Sequence, residues 1–253
     1  MTIIAGLLSP EGVVLASDSQ AGSFRGVSVK RLDYTKIYSF EFDGATVIVT
    51  GAGETPFITR AVEIIEEKAS ETKFHSPREL ADMTEDAMNE IMKRYQVERY
   101  RQVMGSAGRA PNADDEGSPF PPMPNFALML GVTCGGASAL YDVYPDGVAG
   151  RAEGYTSTGS GSAFAEYLLS RLYRDDLALD EAVRIAVYVI EEVKKIDLHC
   201  GGITQVATIT SGGKIARKTE EEVRSIVKYL DKYDSALREA WRVIAHGLTN
   251  DES

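Results

Sequence analysis

The chain switches hydrophobic period in a fixed order, and that order constrains its fold more than any single motif. Residues 2–7 and 13–16 are apolar and β-branched, with Ser9-Pro10-Glu11-Gly12 as the turn between them. Residues 36–42 and 45–50 form a second strand pair around Asp43-Gly44, a two-residue hairpin signal. From 56 to 73 the period becomes helical, with Ile58, Ala61, Val62, Ile65 and Ala69 on one face. Ser76-Pro77 reads as the N-cap and first position of a second helix, running through Leu80, Met83, Met88 and Ile91 towards Tyr95. Strands return at 126–132 and 137–144, then helices at 162–173 and 179–195, then strands at 203–210 and 214–217. A helical stretch over 219–245 follows, its Thr219 and Glu222 at capping-box spacing. Strands followed by paired helices, twice over, predict helical layers outside two stacked sheets.

Length and charge narrow the classes. A chain of 253 residues buries a substantial core and fits one large domain. The reading is one domain over 2–245 with a Gly-, Pro-, Asn- and Asp-rich inserted loop near 103–124 and a short tail over 246–253. A net charge of −11 argues against a nucleic-acid footprint and against anionic membranes. Cys134 and Cys200 are too few for a disulfide framework and lack zinc-site spacing, so no metal or cofactor is expected. A reducing, cytoplasmic setting is expected, with no signal peptide and no membrane-spanning run.

The residue after Met1 is Thr2. A threonine hydroxyl needs a base to become a nucleophile, and an N-terminal threonine carries one in its own α-amine, with an unperturbed pKa of about 7.7–8.0. Removal of Met1 exposes that amine. Asp18 ends the second strand segment, Lys36 opens the third, and Val49-Thr50-Gly51-Ala52-Gly53 ends the fourth. Gly159-Ser160-Gly161 precedes a helix, and Asp197-Leu198-His199-Cys200-Gly201 follows one. Taken singly, Asp18 also fits a turn carboxylate, Lys36 a solvated charge, and the glycines simple turns. Phe164 occupies the last glycine position of a phosphate-loop pattern, which disfavours nucleotide binding at Gly159.

In this order, the segments resemble the β-type subunits of the proteasome family, including the simpler HslV peptidase, over most of the chain. The resemblance implies an α+β fold, a four-layer αββα sandwich of two antiparallel sheets flanked by helices. It assigns Thr2 as nucleophile, Lys36 as the ammonium beside it and Asp18 as that lysine's carboxylate partner. Gly51 becomes the oxyanion-hole N–H, while Ser160 and Asp197 orient the amine and a water. Val49 matches the base of the substrate pocket, with Tyr34 and Gly53 as further walls, which favours apolar substrate residues. Cys200 and Gly201 are possible supports. Cys200 departs from the serine frequent there, and a thiol donates more weakly than a hydroxyl. Ile3 replaces a frequent second threonine.

The resemblance further implies a threonine endopeptidase within a self-compartmentalised ring. Its partners would be other copies or related ring subunits, a peptide or unfolded protein substrate, and a regulator or unfolding ATPase. The alternatives are a non-catalytic structural subunit and a related amidase or transpeptidase. The absence of a helix before the first strand favours the β-type over the non-catalytic α-type. The loop and the long last helix exceed a minimal subunit.

Overall fold

A computed structural model describes residues 2–21, 33–106, 124–145 and 148–250. Along the chain run β1 (Ile3–Ser9), β2 (Gly12–Ser17), β3 (Ile37–Phe42), β4 (Ala45–Gly53), α1 (Thr55–Ser70) and α2 (Pro77–Ser106). Next come β5 (Phe126–Cys134), β6 (Ala137–Val143), β7 (Ala149–Arg151), β8 (Tyr155–Gly159), α3 (Ser162–Leu172) and α4 (Leu179–Ile196). β9 (Gln205–Thr210), β10 (Ile215–Arg217) and α5 (Glu220–Asn250) complete it.

Two five-stranded sheets have the orders β10-β9-β2-β1-β8 and β3-β4-β5-β6-β7, and every pairing is antiparallel. Strand alternation divides the core into three layers. Ile3, Ala5 and Leu7 of β1 pack against α3 and α4, with Ala165, Val187 and Val193. Ile4, between them in sequence, points the other way and meets Ile48, Met129 and Leu140 of the second sheet. The outer face of that sheet, with Val47, Val49, Leu128 and Leu130, packs on α1 and α2. Helices on the outer faces and two sheets face to face give the αββα sandwich. Burial on both faces explains why β1, β2 and β5 read as nearly unbroken apolar runs.

Several boundaries differ from the sequence reading. β4 continues to Gly53 instead of Thr50, and α2, read as running towards Tyr95, continues to Ser106. The first residues of the expected loop are therefore helical, and 107–123 lie outside the described residues. Residues 22–32, a polar stretch that includes Gly22 and Gly26, also lie outside them. The last helix continues to Asn250, past the expected end at 245, so the expected tail begins inside it. β7 and β8 had no counterpart in the sequence reading. β7 is three residues long, and β8, Tyr-Thr-Ser-Thr-Gly, is polar, so neither shows an apolar strand signature. The Thr219–Glu222 capping box is formed: Thr219 N–H and hydroxyl donate to the Glu222 carboxylate, and Glu222 N–H returns a bond to Thr219 Oγ1 at 3.2 Å.

Candidate active site

Thr2 sits at the head of β1, where β1 lies between β2 and β8. β2 delivers Asp18 one residue past its end, and the approach to β3 delivers Lys36 one residue before its start. The Lys36 ammonium donates to Thr2 Oγ1 at 2.8 Å and to Asp18 Oδ1 at 2.7 Å. All three are buried, Thr2 and Lys36 at 6 % exposure and Asp18 at 0 %. A charge buried this deeply requires a partner and saturated hydrogen bonding. Asp18 receives both: besides Lys36, it accepts Ile3 N–H at 3.1 Å, Gly201 N–H at 3.0 Å and Gln20 N–H at 3.3 Å. Burial pulls the Lys36 pKa below the ordinary lysine value, and the attraction of Asp18 offsets part of that.

Lys36 is held from behind by a residue the sequence reading missed. Gln205, at the start of β9, accepts Lys36 N–H at 2.9 Å through Oε1 and donates to Tyr34 O at 2.7 Å through Nε2. A glutamine in a polar strand start carries no pattern that distinguishes this role. Gly159 is a second missed residue. Its φ is +107°, and a Cβ there would lie 2.0 Å from Thr2 O. Only glycine lets β8 run this close beside Thr2.

On the other side of Thr2, Ser160 donates to Asp197 Oδ2 at 2.8 Å and lies 3.5 Å from Thr2 O. Asp197 also accepts His199 N–H at 2.9 Å and the Cys200 thiol at 3.3 Å. Burial works to raise the Asp197 pKa, but these donors outweigh it and hold the carboxyl below its usual value. Burial pushes the Cys200 thiol up to about 12, with the Asp18 and Asp197 charges adding to it against the Ser160 hydrogen bond. Cys200 is thus a buried, protonated thiol that donates to Asp197.

β4 outruns β3. The two are joined by a two-residue turn, which closes on the hydrogen-bonded pair Phe42–Ala45. Alternation from Ala45 directs the N–H of Val47, Val49 and Gly51 towards β3. β3 stops at Ile37, opposite Thr50, so Gly51 has no strand partner there among the described residues. Lys36, the residue before Ile37, turns its own N–H to Gln205 and not to β4.

The expected pocket residues divide. Val49 is fully buried under α1. Tyr34 is half-buried, and its phenol hydrogen-bonds Tyr38, a neighbour the sequence reading missed. Tyr38 pairs with Val49 across the sheet, and burial, helped by Tyr34, raises its phenol to about 12. Gly53 is exposed, with φ +108° and room for no Cβ, which would lie 2.2 Å from Asn125 O. Cavities of about 300 Å³ between α1 and α2 and about 370 Å³ between α4 and α5 lie elsewhere; neither is lined by Thr2, Asp18 or Lys36.

Thr2, the residue after Met1, lies beside a buried Lys36–Asp18 pair in an αββα sandwich. Known proteins resemble this chain in sequence and in fold. The family model described as "Proteasome subunit" matches residues 120–209. Proteasome subunit beta 1 of Thermococcus kodakarensis is 27 % identical over 229 residues, covering 90 % of this chain and 97 % of that protein. Proteasome subunit beta of Methanopyrus kandleri is 26 % identical over 234 residues, covering 89 % and 95 %. Among solved structures, Anbu, described as an ancestral beta-subunit, from Yersinia bercovieri superposes with a TM-score of 0.71 at 19 % identity over 94 % of this chain and 96 % of that one. A helical assembly of the Anbu complex from Pseudomonas aeruginosa gives 0.70 at 16 %, over 95 % of each chain. In sequence the chain is similar to proteasome beta subunits over most of its length.

Proposed function

We propose that this β-type chain is a threonine peptidase that uses Thr2 once Met1 has been removed. The observation that carries the reading is the Lys36 ammonium, 2.8 Å from Thr2 Oγ1 and anchored on Asp18. Until Met1 leaves, the Thr2 nitrogen is an amide with no basicity. Afterwards it is an amine that accepts the hydroxyl proton, through a water, as Oγ1 attacks the scissile carbonyl. The lysine stabilises the developing alkoxide, and its lowered pKa makes it a stronger donor. Gly51 N–H receives the oxyanion, a donor of a kind that contributes about 10²–10³ in rate. Collapse returns the amine's proton to the leaving nitrogen. Water then attacks the acyl ester by the same route in reverse. Ser160 and Asp197 hold the amine and that water.

Apolar substrate side chains suit the expected pocket between Tyr34 and Gly53, whose floor residue, Val49, carries no charge but is itself sealed under α1. The chain works as a member of a self-assembled, proteasome-like ring of like subunits, in the cytoplasm, fed by a regulator or unfolding ATPase. The structural-subunit alternative expects a broken cluster, whereas Thr2, Asp18 and Lys36 are in contact. A threonine-directed epoxyketone or β-lactone tests the reading: one adduct per chain is expected, lost in Thr2→Ala. A peptide panel that yields amine-ligated product instead of free acid would convert the peptidase reading into a transpeptidase.

A further inference from the structure

The two halves of the site come from segments far apart in sequence. Lys36 and Asp18 stand on one side of Thr2, Ser160 and Asp197 on the other. Residues 18–20, at the end of β2, meet the turn 197–203 that follows α4. At the far end of this turn the contact is mostly backbone. Gly201 O accepts Ser19 N–H at 3.2 Å and Gln20 N–H at 2.9 Å, and Gly201 N–H reaches Asp18 Oδ2 at 3.0 Å. Ile203 N–H reaches Ser19 Oγ at 2.7 Å. At the near end, which carries Asp197, a side chain makes the contact: Gln20 Nε2 donates to His199 O at 3.2 Å. His199 is thereby gripped in both directions, because its N–H donates to Asp197 Oδ1 at 2.9 Å. Contacts therefore run from Gln20 through His199 to Asp197, then from Asp197 Oδ2 to Ser160 and on to Thr2 O.

Gln20 is 7 % exposed, and its Oε1 is buried without a hydrogen-bond partner among the described residues. A buried acceptor without a donor costs stability, so packing alone does not favour glutamine there. Gly201 makes room for it: a Cβ at 201 would lie 2.5 Å from Gln20 Oε1. We propose that Gln20 is a positioning residue for the reaction at Thr2. Its carboxamide sets the His199 peptide, and through it the orientation of the Asp197 carboxylate against Ser160 and Thr2. Small displacements of an aligned group reduce rates steeply, so the link matters to the chemistry more than to the fold. The proposal rests on the reading of Thr2 as the nucleophile and of Asp197 as a group that holds its amine.

The test measures labelling of Thr2 by a β-lactone in the full chain lacking Met1, resolved into initial binding and the first-order covalent step. Gln20→Met keeps the length of the side chain and removes the carboxamide. It should slow the covalent step about tenfold with initial binding unchanged, and melt within about 3 °C of wild type. Gly201→Ala should slow the same step from another direction, since its Cβ pushes the Gln20 carboxamide off His199 while the backbone at 201 lies outside the left-handed region. Adding Gln20→Met to Asp197→Asn should cost less than about twofold more, because both act through one carboxylate. A wild-type covalent step in Gln20→Met, a fall confined to initial binding, or a full tenfold loss on top of Asp197→Asn overturns this inference and leaves the Thr2 reading intact. A wild-type chain without Met1 that takes no adduct overturns both.

Discussion

Thr2, Asp18 and Lys36 depend on one another in a way single substitutions expose. Lys36→Ala leaves the Asp18 carboxylate buried with backbone donors only and removes the alkoxide's cation. It should cut covalent labelling of Thr2 by 10² or more and lower stability by about 3 kcal/mol, measured by labelling rate and by urea denaturation. The pH dependence follows from the same pair. Labelling should rise as the Thr2 amine loses its proton and fall as Lys36 loses its own. Because burial lowers the Lys36 pKa, the alkaline limb should lie below the ordinary lysine range. Asp142 gives an independent residue-level prediction. Burial raises it to about 6, the Thr156 hydroxyl opposing and the Glu166 charge adding, and its Oδ1 has no hydrogen-bond partner. The unfolded carboxyl ionises near 3.9, the folded one only near 6, so this group's contribution to stability falls as pH rises between the two. Asp142→Asn should raise stability by about 1–2 kcal/mol at pH 8 and change little at pH 4, read from thermal melts at both.

The elements show which parts of this arrangement a sequence reveals. β1, β2, β4, β5, α1 and α4 announce themselves because burial on both sheet faces, or on one helical stripe, writes a periodic apolar pattern. Asp18, Lys36 and Gly51 were legible because they terminate such elements in a recognisable order. β8 was not. Its side chains Thr156 and Ser157 form polar contacts at a sheet edge, and its place beside β1 is a long-range pairing that no local pattern encodes. Gln205 was missed for the same reason: it acts through partners distant in sequence, Lys36 and Tyr34. Gly159 carries the clearest prediction at this scale. Gly159→Ala forces a side chain into Thr2 O from a left-handed backbone. It should destabilise the protein by about 2–3 kcal/mol and abolish Thr2 labelling even where the fold survives, which denaturation and labelling at low temperature separate.

As a whole, the molecule buries its thiols and its Lys36–Asp18 pair. Cys134 and Cys200 are both buried, and burial raises both thiols. Neither should react with a thiol reagent at pH 8 in the native protein, and both should react in denaturant; rapid native alkylation would contradict the packing described for the site. The long α5 lies at the opposite extreme, with Leu237 and Trp241 exposed on the longest described helix. The central claim, that Thr2 is the nucleophile and Met1 its block, is tested most directly by intact-protein mass spectrometry of the chain purified from cells and treated with an epoxyketone. The account predicts a mass lacking Met1, a single adduct, and no adduct in Thr2→Ala. Quantitative retention of Met1, or an adduct that persists in Thr2→Ala, would contradict it.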